Sequence, residues 1–282
     1  MGFSLGKDKL FNYLKLFGFG NKTGIDLNGE GKGIIFDVSD VNDLELATTA
    51  FGQGVSVTPI QQITAVSSIV NGGNLYRPYI MKSILDGKTN NIYLENEKKL
   101  VRKTISESTT KTMRMALESV VARGGGKVTY IDGYRVGGKT GTAQKVKDGR
   151  YLENNYIMSF MAVLPSNDPK VVLYLAIDNP KKTALLSSYT TTPFVRKILL
   201  DMINIMNIKK QPNQALKDYE WMDKKYYKVP NVVGMTKSEA KKTLSNFSVT
   251  FVSDGDVVVE QSPEAGSRYY ETGEVKLLLG NK

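Results

Sequence analysis

The residues best suited to chemistry cluster at Gly137-Gly138-Lys139-Thr140-Gly141-Thr142-Ala143-Gln144-Lys145. From Gly133, four residues and then Gly138-Lys139-Thr140 match G-x-x-x-x-G-K-[ST], the pattern of a phosphate-cradling loop. Such a loop needs a helix starting at the Lys-Thr pair, so that its N–H groups face the phosphates. The residues that follow are β-branched at intervals and soon break at Asp148-Gly149, which favours a strand or hairpin. The same letters also fit a Lys-Thr-Gly edge strand beside a nucleophile. There Lys139 supplies positive charge for proton transfer and attracts a substrate carboxylate. Gly141 has no Cβ, so a substrate backbone can approach the strand closely. Thr140 and Thr142 alternate with it, and the Thr142 hydroxyl can bond a carboxylate. The plainest reading is a Gly-rich hairpin with no ligand. A second copy of the letters, Lys22-Thr23-Gly24, stands among Gly and Asn residues and reads as a turn.

Composition narrows the possible chemistry. The 282-residue chain has no histidine and no cysteine. A Ser-His-Asp triad, a cysteine nucleophile and a His/Cys zinc site are therefore excluded within it. Acid–base work near neutral pH falls to Lys, Asp, Glu or Tyr. Neither a metal nor a cofactor is expected. The net charge is +10; residues 229–282 hold six Lys/Arg against seven Asp/Glu, which leaves +11 on the first 228. That balance favours an anionic partner such as an acidic wall polymer, a membrane surface or nucleic acid. The basic residues are scattered in short pairs such as Lys98-Lys99, as on a solvated surface, and no nucleic-acid motif accompanies them, so nucleic acid is not expected as a partner. No apolar run approaches the ~20 residues of a membrane span. Any anchor or signal segment is expected outside this sequence.

The elements that must position the cluster follow from periodicity. Helices are expected over Asp8–Phe17, from Thr58-Pro59 to Asn71, over Glu107–Arg123, and from Thr192-Pro193 to Met206. Thr58 is a suitable N-cap and Pro59 a suitable first helical residue. Met113, Leu117, Val120 and Val121 form the expected inward face of the third helix. Residues 18–43 read as loop. Strands are expected at Lys127–Ile131, Tyr134–Lys145, Tyr156–Leu164 and Lys170–Ile177. The polar stretch 207–228 reads as a linker. Beyond it a small module restarts, with a capping-box signature at Thr236-Lys237-Ser238-Glu239 and strands at 249–252, 257–261 and 274–279.

Several segments, taken in order, resemble the transpeptidase domain of class B penicillin-binding proteins of the sporulation and division types. They are Phe17-Gly18-Phe19-Gly20-Asn21-Lys22-Thr23-Gly24-Ile25-Asp26-Leu27, Phe51-Gly52-Gln53-Gly54-Val55-Ser56-Val57-Thr58-Pro59-Ile60-Gln61, Asn71-Gly72-Gly73 with Arg77-Pro78, and Gly133 to Lys145. Val229-Pro230-Asn231-Val232-Val233-Gly234-Met235 and Gln261-Ser262-Pro263-Glu264-Ala265-Gly266 resemble a PASTA module, which favours the sporulation type. The resemblance implies a mixed α/β (α+β) fold: the penicillin-binding sheet with packed helices, in part, over 1–206. A linker over 207–228 and a small α+β PASTA domain over 229–282 complete it.

The resemblance implies D,D-transpeptidation in cell-wall cross-linking. Lys139, Thr140 and Gly141 are the expected catalytic wall, and Thr142 and Gln144 the expected substrate contacts. Peptidoglycan stem peptides are the expected partners, and β-lactam antibiotics those of the full-length protein. The expected location is the extracytoplasmic cell envelope, with membrane anchoring through a segment not in this chain. The family's S-x-x-K and S-x-N motifs precede the Phe17–Leu27 loop, and no such pair stands here. Ser4-Leu5-Gly6-Lys7 fits S-x-x-K in letters but lacks an S-x-N between it and the loop. The nucleophile is thus expected to be missing and the chain alone inactive. The alternative is a non-catalytic wall-binding module acting through the PASTA unit.

Overall fold

The computed structural model describes residues 2–147, 150–180, 190–217 and 225–281. The expected break at Asp148-Gly149 and most of the second half of the expected linker, residues 218–224, lie outside them.

The helices follow their sequence signals. After a short turn of helix, α1 (Gly2–Leu5), α2 spans Lys7–Leu16 and buries Phe11. Next come α3 (Asp43–Ala50) and α4 (Pro59–Val70). The Thr58 hydroxyl accepts from Gln61 N, and the Gln61 side chain accepts from Thr58 N, closing a capping box. Helix α5 covers Glu107–Arg123 with Ser106 as its N-cap, and α6 covers Thr192–Ile205. The helix α3 stands within a stretch that carried no apolar periodicity. Its capping box, Asn42 with Glu45, was its sequence signal.

Two small antiparallel pairs flank these helices. Strand β1 (Asn74–Tyr76) pairs with β4 (Leu100–Lys103), and β2 (Ser83–Leu85) with β3 (Ile92–Glu95). The central sheet is antiparallel, in the order β5 (Gly137–Lys147), β6 (Arg150–Leu164), β7 (Val171–Asp178). Register runs Gly137↔Val163 through Gln144↔Tyr156 in the first pair and Leu164↔Val171 through Ile157↔Asp178 in the second. One face of this sheet meets α5 and α6 in a core of Val121, Val136, Phe160, Leu164, Val195 and Leu199. Among the described residues β5 and β7 each pair with β6 alone, so both present an open edge. Strand β7 carries seven apolar residues in a row, Val171 to Ile177.

The expected strand at Lys127–Ile131 is instead a 3-10 turn over Lys127–Thr129. The Thr129 hydroxyl and N–H both donate to Gly126 O, at 2.7 and 2.9 Å, closing the turn locally. The C-terminal module has its own core of Val229, Val232, Ala240, Leu244, Val258, Val275, Leu277 and Leu279. Helix α7 (Lys237–Thr243) starts from the Thr236–Glu239 capping box. It packs on a sheet ordered β10 (Val257–Ser262), β12 (Glu274–Gly280), β9 (Ser248–Phe251), in which β12 and β9 run parallel. A further pair, β8 (Tyr226–Lys228) with β11 (Arg268–Tyr270), starts the module three residues before Val229. Among the described residues no helix is long and apolar enough to cross a membrane.

The Lys-Thr-Gly strand as a candidate active-site wall

Strand β5 runs unbroken through Lys139-Thr140 to Lys147. No helix starts at the Lys-Thr pair, so the arrangement that a phosphate loop needs is not formed. Lys139 and Thr142 are exposed on this strand, and Thr140 and Gly141 are half-buried. The Lys139 ammonium donates to Thr140 O at 2.8 Å, which folds it back along the strand. Lys139, Thr140, Gly141 and Thr142 therefore share one stretch of β5, a strand whose described partner is β6 alone. A peptide could add there as a further strand.

Each glycine of the motif has an internal reason. A Cβ on Gly138 would run into the Phe160 ring, which is fully buried. A Cβ on Gly137 would lie 3.2 Å from both Leu117 Cβ and Ser166 Cβ. A Cβ on Gly141 would lie 2.5 Å from Ser159 Oγ, its direct partner across the ladder. The sheet itself thus demands small residues here, in addition to any need for close substrate approach. Gln144 is tied down: its amide nitrogen donates to Leu152 O at 3.0 Å across the hairpin. A bulge between Gln144 and Val146 follows, and Lys145 Nζ reaches Asp178 at 2.7 Å.

Ahead of β5 sits a buried carboxylate that sequence reasoning passed over. Glu118 of α5 is 4% exposed, although the helix's inward face was read as Met113, Leu117, Val120 and Val121. Arg135 grips it through Nη2 at 2.8 Å and Nε at 3.1 Å, and Ser166 Oγ donates at 2.8 Å. Burial pushes this carboxyl up, but the Arg135 hydrogen bonds, with those from Ala215 N and Ser166, outweigh it and hold it below the usual range. An apolar stripe interrupted by one Glu, with an Arg just before the strand, was the available signal.

The second copy, Lys22-Thr23-Gly24, is a turn, as read. Glu30 accepts from Thr23 N at 2.5 Å, Thr23 Oγ1 at 2.6 Å and Gly24 N at 3.0 Å, and Gly24 has φ +77°. Ser4 and Lys7 belong to different helices, separated at Gly6 with φ +81°. Ser4 is exposed, and Lys7 Nζ donates to Val41 O at 3.1 Å.

The penicillin binding protein transpeptidase domain matches residues 1–200, and the PASTA domain matches residues 227–281. The chain is 50% identical over 279 residues to stage V sporulation protein D of Bacillus subtilis, covering 99% of this chain and 43% of the relative. It is 32% identical over 198 residues to peptidoglycan D,D-transpeptidase FtsI of Escherichia coli, covering 68% of this chain and 31% of that one. Among solved structures, penicillin binding protein 3 of Mycobacterium tuberculosis complexed with ampicillin superposes with a TM-score of 0.68 at 26% identity. That match covers 76% of this chain and 50% of the other. The chain thus spans less than half the length of the curated relatives it matches. With the motif on a strand at the edge of the described central sheet, this chain belongs to the penicillin-binding protein transpeptidase family and carries a PASTA domain behind it.

Proposed function

We propose that this chain supplies the Lys139–Thr142 wall of the active site of a peptidoglycan D,D-transpeptidase. The observation that carries the reading is Lys139, exposed near the start of β5, a strand whose described partner is β6 alone, in a chain of this family. The 50% identity to stage V sporulation protein D, together with the PASTA domain, supports a role in sporulation.

In the proposed reaction a serine attacks the carbonyl of the penultimate residue of a D-Ala-D-Ala stem peptide. The terminal D-Ala leaves with a proton, and the acyl group passes to an amine of a neighbouring strand. Along β5 the stem peptide lies as an added strand. Lys139 places a positive charge beside the reacting serine, favouring proton transfer and attracting the terminal carboxylate. The Thr140 and Thr142 hydroxyls offer hydrogen bonds to that carboxylate, and Gln144 borders the far end. β-Lactams, as mimics of the peptide, take the same edge; that the M. tuberculosis relative forms a complex with ampicillin supports β-lactams as ligands. The attacking serine belongs to part of a longer protein outside these 282 residues, acting at the cell envelope on the wall side of the membrane.

Intact-protein mass after incubation with a penicillin tests the assignment of the nucleophile. An unchanged mass for this chain, with a one-drug gain for a longer protein bearing the serine, is the expected result. A gain on this chain that disappears with Ser4→Ala would place the nucleophile at Ser4 and overturn the reading.

A further inference from the structure

Glu118 joins three segments that are far apart in sequence. Arg135 stands two residues before β5, Ser166 lies in the turn between β6 and β7, and Ala215 follows α6. Ala215 N donates to Glu118 Oε1 at 2.9 Å, beside the Arg135 and Ser166 bonds. Arg135 adopts φ +45°, rare for a side chain of its size, and its carbonyl accepts from Ser166 N at 2.7 Å. The backbone is thus held in a costly conformation immediately before the Lys-Thr-Gly strand.

The segment read as linker is bound at this point. Gln211 N donates to Gly133 O at 2.7 Å, and Gly133 N donates to Gln214 Oε1 at 2.6 Å. Gln214 Nε2 donates to Ile131 O at 2.9 Å, and Arg135 Nη1 to Pro212 O at 3.3 Å. Tyr130 OH donates to Ala215 O at 3.3 Å. Residues 211–215 therefore form a strap across the loop 130–135 that feeds β5.

We propose that Glu118 is a positioning residue for the Lys139–Thr142 strand, and that the strap 211–215 completes its geometry. The polypeptide leading to the PASTA domain is then part of the platform that sets the strand, and its first half is not a slack tether. Any pull or docking at the PASTA domain that loosens the strap is transmitted through Ala215 and Gln214 to Arg135 and β5. Its importance for catalysis rests on the active-site reading above; the coupling itself does not.

Amide hydrogen exchange on the 282-residue chain decides the coupling. Gln214→Ala removes two strap bonds without touching Glu118, and Glu118→Gln removes the charge while keeping the shape. In both, amides of residues 137–142 should exchange about tenfold faster or more, by local opening, with those of β12 unchanged. Unaltered exchange at 137–142 in Gln214→Ala, with 211–215 exchanging faster, would overturn the proposal. So would equal acceleration across β5, β6 and β7, which marks a general loss of stability. In a longer protein bearing the serine, Gln214→Ala should slow penicillin acylation at an unchanged melting temperature. If the unmutated longer protein is not acylated at all, the active-site reading fails while the exchange result still decides the coupling.

Discussion

Glu118 and Arg135 form a bidentate ion pair, with Nη2 2.8 Å from one oxygen and Nε 3.1 Å from both. The side chains are 5% and 19% exposed, so solvent screens them little. Arg135→Ala leaves the carboxylate buried without its counter-charge and should cost about 3–5 kcal/mol. The pH dependence follows from the lowered Glu118 pKa. A carboxyl depressed in the folded state adds stability that is present above its unfolded value of 4.5 and is lost as pH falls through the folded one. Urea unfolding at pH 7 and at successively lower pH should show this acid loss, and Glu118→Gln should flatten it. The same acid slope in both proteins would remove Glu118 as its source.

Gly141 and Ser159 test whether the sheet or a ligand demands the glycine. Gly141→Ala should destabilise by about 1–3 kcal/mol through overpacking. Ser159→Ala removes the Oγ that the new methyl meets, and the double variant should recover most of the loss, a coupling of roughly 0.5–3 kcal/mol. Strictly additive unfolding energies would mean that the clash is not the cause.

Lys139 is exposed, and the one described bond of its ammonium is to the neighbouring Thr140 carbonyl. Lys139→Ala should change stability by no more than about 0.5 kcal/mol. In a longer protein bearing the serine it should sharply reduce penicillin labelling. Near-normal labelling of a folded variant would defeat the proposed role.

The PASTA domain has a separate core, so damage there should stay local. Thr236→Ala removes the cap on Glu239 N and should cost about 0.5–2 kcal/mol. Leu277→Ala, at a fully buried site, should cost about 2–5 kcal/mol. Hydrogen exchange should rise in β9, β10 and β12 and stay level in β6; a matching rise in β6 would show that the two cores unfold together.

Among the described residues β7 pairs with β6 alone, and its apolar edge should make this chain associate. Long apolar edges lack the charges that natural sheets use to block edge-to-edge pairing. Sedimentation velocity should show concentration-dependent association, reduced by Ala176→Lys at an exposed edge position. Equal association of the two proteins would place the contact elsewhere.

What could be read from sequence was whatever local chemistry dictates. Thr58-Pro59 and Thr236-Glu239 announced helices because a cap needs only neighbouring residues. Strands β5, β6 and β7 announced themselves through β-branched and apolar runs. The short pairs β1–β4 and β8–β11 did not, because their partners lie 24 or more positions apart and each strand has only three or four residues. The turn at Lys127–Thr129 was misread because Val128 and Thr129 favour strands when judged alone, while Gly126 O captures the Thr129 hydroxyl. Lys139–Thr142 stood out by its letters. Glu118 did not, because a lone acidic residue in an apolar stripe acquires meaning only when Arg135, Ser166 and Ala215 arrive from elsewhere in the chain.

The collision between Gly138 and the buried Phe160 ring bears on how this wall can evolve. Gly138 is fixed by the fully buried Phe160 ring, so drift at that position is purged through loss of folding before any ligand is consulted. A lineage under pressure to alter what the edge accepts is left with Lys139, Thr140, Thr142 and Gln144, whose side chains the sheet does not forbid. Innovation at this edge is therefore channelled into side-chain identity on an unchanging backbone track.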